Sequence, residues 1–164
     1  MSNLKKLVAS LVLALTGIAG VHASEFAGPY AGIKLGENWS DASGNLNVAS
    51  HGTTFLGLTA GYNFDVKNFV IGAEGFADFH NGSTTYKDAG VDAKVGVPMN
   101  NLMPYARLGF TGTWPNARLH GGLGLEYKFA KHVSVAGEWT ADSSSHDGTK
   151  RSNNSVTVGV HYFF

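Results

Sequence analysis

The ionisable residues of this 164-residue chain recur at alternate positions, and that spacing limits what chemistry they can do. Glu126 and Lys128 lie two apart in Gly-Leu-Glu-Tyr-Lys-Phe, and Asp92 and Lys94 lie two apart in Val-Asp-Ala-Lys-Val. Residues two apart share one face of a β-strand. Five bases (Lys34, Lys94, Arg107, Arg118, Lys128) and six acids (Glu74, Asp78, Asp88, Asp92, Glu126, Glu138) fall on such faces, among glycines and other small residues. Near balance of sign suits a network of ion pairs, because a buried charge without a partner costs about 3–5 kcal/mol. The other chemistry open to these residues is a path for ions or small solutes.

Covalent chemistry has little to work with. A nucleophilic site needs a hydroxyl, a base and an orienting acid brought together in space. Ser145, His146 and Asp147 are consecutive, and a run of neighbours does not make that constellation. Ser143, Ser144, His51 and His80 fall in polar segments or at their borders, and no two histidines have metal-ligand spacing. The chain has no cysteine, which removes disulfide and thiolate chemistry. No catalytic residue, metal ligand or cofactor is assigned, and the chain reads as a non-enzyme.

The elements that must position the charges are strands. Ser155 to Phe164 alternate without a break, with Val156, Val158, Val160, Tyr162 and Phe164 on one face. Eight segments of this kind are expected, over 30–39, 54–64, 69–79, 85–97, 105–114, 117–129, 132–141 and 155–164. Turn chemistry separates them: 65–68, Asn81-Gly82, 98–104, Pro115-Asn116 and Ala130-Lys131. Two longer polar stretches, 40–52 and 142–154, read as loops.

The apolar faces meet lipid rather than a packed core. Charged residues within strand bodies fall on the glycine-rich face, with Glu37 and Lys87 the exceptions near one rim. A narrow barrel interior needs small residues beside long charged ones; a water-facing surface does not. Aromatic residues of the apolar face gather at strand ends. Tyr62, Phe64, Phe69, Tyr127, Phe129, Tyr162 and Phe164 form one belt, and Trp39, Phe79, Trp114 and Trp139 the other. A backbone in hydrocarbon must satisfy its own hydrogen bonds, so strands that span lipid must close into a barrel.

The first 23 residues carry an address. Lys5 and Lys6 precede the apolar stretch 7–21, which ends in Val21-His22-Ala23 with small residues at −1 and −3. The stretch is short of the roughly 20 apolar residues of a spanning helix and reads as a secretory signal peptide, helical in its apolar part. Residues 24–164 then form one domain that starts near Ser24. Losing Lys5 and Lys6 leaves ten bases against twelve acids, a balance with no basic footprint for nucleic acid.

Residues 93–98 (Ala-Lys-Val-Gly-Val-Pro), 105–110 (Tyr-Ala-Arg-Leu-Gly-Phe), 121–127 (Gly-Gly-Leu-Gly-Leu-Glu-Tyr), 135–139 (Val-Ala-Gly-Glu-Trp) and 158–164 (Val-Gly-Val-His-Tyr-Phe-Phe) resemble the OmpA-like transmembrane domain and its opacity-type relatives. Gly28-Pro-Tyr-Ala-Gly-Ile-Lys-Leu-Gly is similar to that family's first strand. The resemblance covers essentially the whole chain after the signal peptide. It implies an all-β, eight-stranded, antiparallel up-and-down barrel in the outer membrane of a Gram-negative cell, with paired charges inside and no wide channel. It matches Lys94, Arg107, Glu126 and Glu138 to lumen charges. The chain departs from full-length OmpA in carrying no peptidoglycan-binding domain after the barrel, and its outer loops are modest.

The expectation is a structural, envelope-integrity role with the lumen plugged by charge. A low-conductance pore and a loop-mediated adhesin are the alternatives. The expected partners are outer-membrane lipid and lipopolysaccharide, periplasmic chaperones, and the barrel-assembly machinery through a C-terminal signal at Tyr162 and Phe164.

Overall fold

The computed structural model describes residues 24–80, 87–112 and 117–164. The expected signal peptide, the Asn81-Gly82 turn, Thr85, Trp114 and the Pro115-Asn116 turn lie outside the described residues, as does the Lys87 side chain. Eight strands follow in chain order: β1 (Gly28–Gly44), β2 (Val48–Val66), β3 (Phe69–His80), β4 (Lys87–Gly96), β5 (Leu102–Thr111), β6 (Arg118–Ala130), β7 (Val133–His146) and β8 (Thr149–Phe163). Each pairs antiparallel with its neighbours, and β1 pairs with β8 to close the barrel. Closure leaves no sheet edge along the spanning region, which hydrocarbon requires.

Burial runs inside out relative to a soluble protein. Val91 and Leu123 are 65% and 62% exposed, while Arg118 and Glu126 are 1% and 0% exposed. A water-soluble barrel would reverse that assignment. The expected belt aromatics Tyr62, Phe64, Phe69, Tyr127, Phe129, Tyr162 and Phe164 are exposed at one end, and Trp39, Phe79 and Trp139 toward the other. The first end carries the short connections after Val66 and Ala130 and is called the turn end here; the second is the hairpin end.

The two polar stretches read as loops are largely strand. β1 runs on to Gly44 and β2 begins at Val48; β7 runs on to His146 and β8 begins at Thr149. The β1–β8 ladder continues through Asp41↔Ser152 and Ser43↔Lys150 to Gly44↔Thr149. The misreading has a physical cause. Beyond Trp39, Leu56, Trp139 and Val156 the outer face meets water while the buried inner face stays polar, so the period-two hydrophobic signal ends although pairing does not. The link between β7 and β8 is the two-residue turn Asp147-Gly148, with φ of 48° and 68°. Positive φ at both central positions is the type I′ hairpin geometry that Asp-Gly favours. At the neighbouring tip Asn45 donates its backbone N–H to Gly148 O and its Nδ2 to Asp147 O, tying the two hairpins together.

Smaller differences follow the same ladders. β5 starts at Leu102 rather than Tyr105, with Pro104 near its beginning, where a residue without an N–H is tolerated. Glu37 is half-buried on the outer face, where its carboxylate accepts from Thr54 Oγ1 at 2.7 Å.

Candidate functional site

The lumen-facing positions of all eight strands converge on one axis, and they carry the five bases and six acids expected there. Glycines make the space. The Tyr105 ring lies over Gly124, the Asp92 carboxylate over Gly109 and the His161 ring over Gly32; a Cβ at any of the three would collide with the side chain above it. Large and small residues thus interlock between neighbouring strands and fill an interior that eight strands leave only side-chain wide.

The register sets like charges side by side. Glu74 is the cross-strand partner of Asp92, Asp78 of Asp88, and Lys94 of Arg107. Such pairs repel on an open sheet. Here the compensating partners lie across the lumen, mostly two strands away. Lys34 of β1 meets Asp78 of β3 at 3.0 Å. Arg107 of β5 meets Glu74 of β3 at 3.1 Å and Glu138 of β7 at 2.6 Å. Arg118 of β6 meets Asp88 of β4 at 2.8 Å. These chords cross the barrel and staple strands that share no backbone ladder.

Arg107 is the centre of the network. Its guanidinium is held by Asp92 as well as by Glu74 and Glu138. Two tyrosines complete the layer: Tyr105 donates its hydroxyl to Glu138 at 2.7 Å, and Tyr30 to Glu74 at 2.6 Å. Lys94 donates to Glu74 at 3.3 Å and lies over the Tyr105 ring, 4.5 Å from its centroid. Delocalised charge and a fixed fork of donors suit arginine to several carboxylates at once.

Toward the hairpin end Arg118 Nε also donates to Asp142 at 3.0 Å, and Asn153 donates to the same carboxylate at 2.8 Å. Asp142, in the stretch 142–154 expected as a loop, stands on β7 and faces inward. The space between these groups and Arg107 holds a cavity of about 40 Å³, room for roughly three waters. His120 lines it, within 2.9 Å of Thr111 Oγ1 and 2.5 Å of Asp92.

Toward the turn end the pattern changes. Glu126 accepts from Ser134 at 2.5 Å and lies 2.9 Å from His161 Nδ1, so its partners are not among the five bases. Lys128 donates to the carbonyl of Glu25 and sits 4.0 Å above the Phe163 ring. Below lies a dry cluster of Phe26, Tyr30, Val70, Met103, Tyr105 and Phe163. The alternation put Tyr30, Tyr105, His120, Ser134 and His161 on the inward face, but nothing in the order of residues named their partners.

Ser145 and His146 are adjacent in β7 and so point to opposite faces. His146 pairs with Asp147 at 3.0 Å on the exposed hairpin tip, and His51 lies within 3.1 Å of the Ala49 carbonyl. The His80 side chain lies outside the described residues. Among the described residues no cluster of three or more histidines and carboxylates is arranged to hold a metal.

Comparison with known proteins places this architecture. The model of the outer membrane protein beta-barrel domain matches residues 8–164. The chain belongs to that family. The 25 kDa outer-membrane immunogenic protein of Brucella ovis is 31% identical over 114 residues, covering 63% of this chain and 55% of the relative. The protein of that description from Brucella abortus has the same identity, with 52% of its length covered. The chain thus spans about half the length of the curated relatives it matches. Among solved structures, Neisserial surface protein A superposes with a TM-score of 0.54 at 15% identity, covering 82% of this chain and 97% of that one. A transmembrane β-barrel designed de novo gives 0.50 at 14% identity, covering 87% and 100%. At such identities the likeness is one of fold alone. Family members are outer-membrane barrels, and the inverted burial of this chain accords with that setting.

Proposed function

We propose that the protein is a structural component of a Gram-negative outer membrane, serving envelope integrity, with a lumen closed by its own charges. The observation that carries this reading is the Arg107 clamp: three carboxylates grip one guanidinium at mid-lumen, with space for only a few waters above it. Short turns of such barrels face the periplasm and longer connections face outward. The turn end is therefore periplasmic, and lipopolysaccharide surrounds the hairpin end. The outward aromatic side chains of Tyr162 and Phe164 serve as the C-terminal signal for the barrel-assembly machinery, after periplasmic chaperones deliver the chain without residues 1–23.

Planar-bilayer recording tests the plug. The wild-type barrel is expected to give no discrete openings, and Arg107→Ala to give measurable conductance. Openings in the wild type would establish the pore alternative, and a silent Arg107→Ala trace would remove Arg107 from the gate. A second reading, surface binding, is favoured by the four strands that rise past the Trp39 and Trp139 belt. Replacing 40–52 and 142–154 by short turns would abolish cell or ligand binding on that reading, and would leave detergent resistance of the envelope intact.

A further inference from the structure

We propose that residues 24–27 are a cork for the turn end of the lumen, latched by an ammonium group made when the Ala23–Ser24 bond is hydrolysed. The proposal rests on residues 1–23 being a leader. Four contacts argue for the cork. Phe26 lies outside every strand, yet it is fully buried in the barrel mouth, edge-on to Phe163 with ring centroids 6.5 Å apart. Asn63 Nδ2 donates to the Phe26 carbonyl at 2.9 Å. Lys128 Nζ donates to the Glu25 carbonyl. Ala27 N–H donates to Ser24 O at 3.1 Å, which turns the segment back into the mouth.

The latch follows from the fifth contact. The backbone nitrogen of Ser24 donates to Asp65 Oδ2 at 2.7 Å, at the end of β2. Val21-His22-Ala23 places small residues at −1 and −3 of the bond just before that nitrogen. Hydrolysis adds one water: the Ala23 carbonyl keeps the oxygen as a carboxylate, and Ser24 leaves as an amine that takes up a proton. The resulting ammonium already faces Asp65, so a hydrogen bond with one ionised partner becomes an ion pair between two opposite charges. An uncut leader would leave a neutral amide there and hold the segment by one end to another environment. Processing thus tightens a closure whose contacts are already in place.

Two measurements test the two halves. Intact mass and N-terminal sequencing of the protein from outer membranes should show a chain beginning at Ser24; any other start overturns the latch. The chain has no cysteine, so a single Met103→Cys reports access to the buried cluster through its rate of reaction with a small water-soluble maleimide. In folded 24–164 that rate should be slow, and Phe26→Ala should raise it about tenfold by populating an open mouth. Asp65→Asn should raise it severalfold, as should acetylation of Ser24. An unchanged rate in Phe26→Ala overturns the cork. An unchanged rate in both Asp65→Asn and the acetylated chain overturns the latch and leaves the cork standing. Should Phe26→Ala fail to show the gel mobility of a folded barrel, a chain beginning at Ala27, which lacks the cork and keeps every strand, carries the test: an unchanged rate there overturns the cork.

Discussion

The middle of the lumen, built on all eight strands, and the wall above the hairpin rim, built on β1, β2, β7 and β8, are both polar, yet they obey different rules. In the lumen, polarity is confined to one face of each strand, and the other face is lipid-facing Leu, Val, Ile and aromatic. In the wall, Ser, Asn, Asp and Gly occupy both faces, as in 40–45 and 149–155. The backbone ladder runs through both regions without interruption, from Tyr30↔Phe163 to Gly44↔Thr149. What differs is the solvent on the outer face. Hydrocarbon selects the alternation; water does not. The two regions should therefore differ sharply in how they respond to substitution.

The largest effect is expected at Arg107. Arg107→Ala leaves Glu74, Asp92 and Glu138 facing one another in a buried lumen, with Lys94 as the cation nearest Glu74. Removing one partner from a buried ionic cluster costs about 3–5 kcal/mol. Urea unfolding of the refolded barrel in lipid vesicles measures it. A loss under about 1 kcal/mol, the range of exposed pairs, would mean that the lumen is as wet as the wall and would erase the contrast. The lipid face should be next. Leu123→Arg puts a charge on an outward position between the two belts, where about 2–4 kcal/mol is expected at the bilayer midplane. A neutral result would place Leu123 outside hydrocarbon.

The same contrast explains what could be read before the structure. Strand number, inward and outward faces and the belts were legible, because lipid on one side and a narrow lumen on the other leave a period of two in 118–129 and 155–164. The wall was not, because Ser-Asp-Ala-Ser-Gly-Asn and Asp-Ser-Ser-Ser-His carry the composition of loops. One signal in the wall is local: Asp147-Gly148 is a hairpin turn by its residue types alone. In the lumen, alternation placed Arg107 and Glu138 on inward faces but could not pair them. Their contact joins β5 to β7 across the barrel, and its existence depends on strand tilt and stagger, which no local pattern encodes. The burial of Phe26 depends on the same closure.

Within the wall the turn should matter more than the strands. Gly148 has a φ of 68°, and a Cβ there would press on the Asn45 side chain that ties the two tips. Gly148→Val combines a β-branched side chain with a left-handed backbone, at a cost of about 1–2 kcal/mol. Loss of amide protection through 143–146 and 149–152 with the lumen residues unaffected, read by hydrogen exchange, would localise the effect. A global loss would show that wall and lumen unfold as one unit.

The smallest effect sharpens the contrast most. Lys150 stands on the outer face of the wall, exposed, opposite Ser43 and Ser145. Lys94 stands on the same kind of pleat one solvent away, buried and bonded to Glu74 and Tyr30. Lys150→Ala should change unfolding free energy by no more than about 0.5 kcal/mol. The identical exchange at Lys94 should cost several times more, because it removes one of the two cations that hold the buried Glu74. If Lys150→Ala instead destabilised the barrel in vesicles containing lipopolysaccharide and was neutral in phosphatidylcholine, the ammonium would be holding an anionic headgroup. The wall would then owe part of its order to the lipid around it, and the difference between the two regions would be one of partner rather than of solvent.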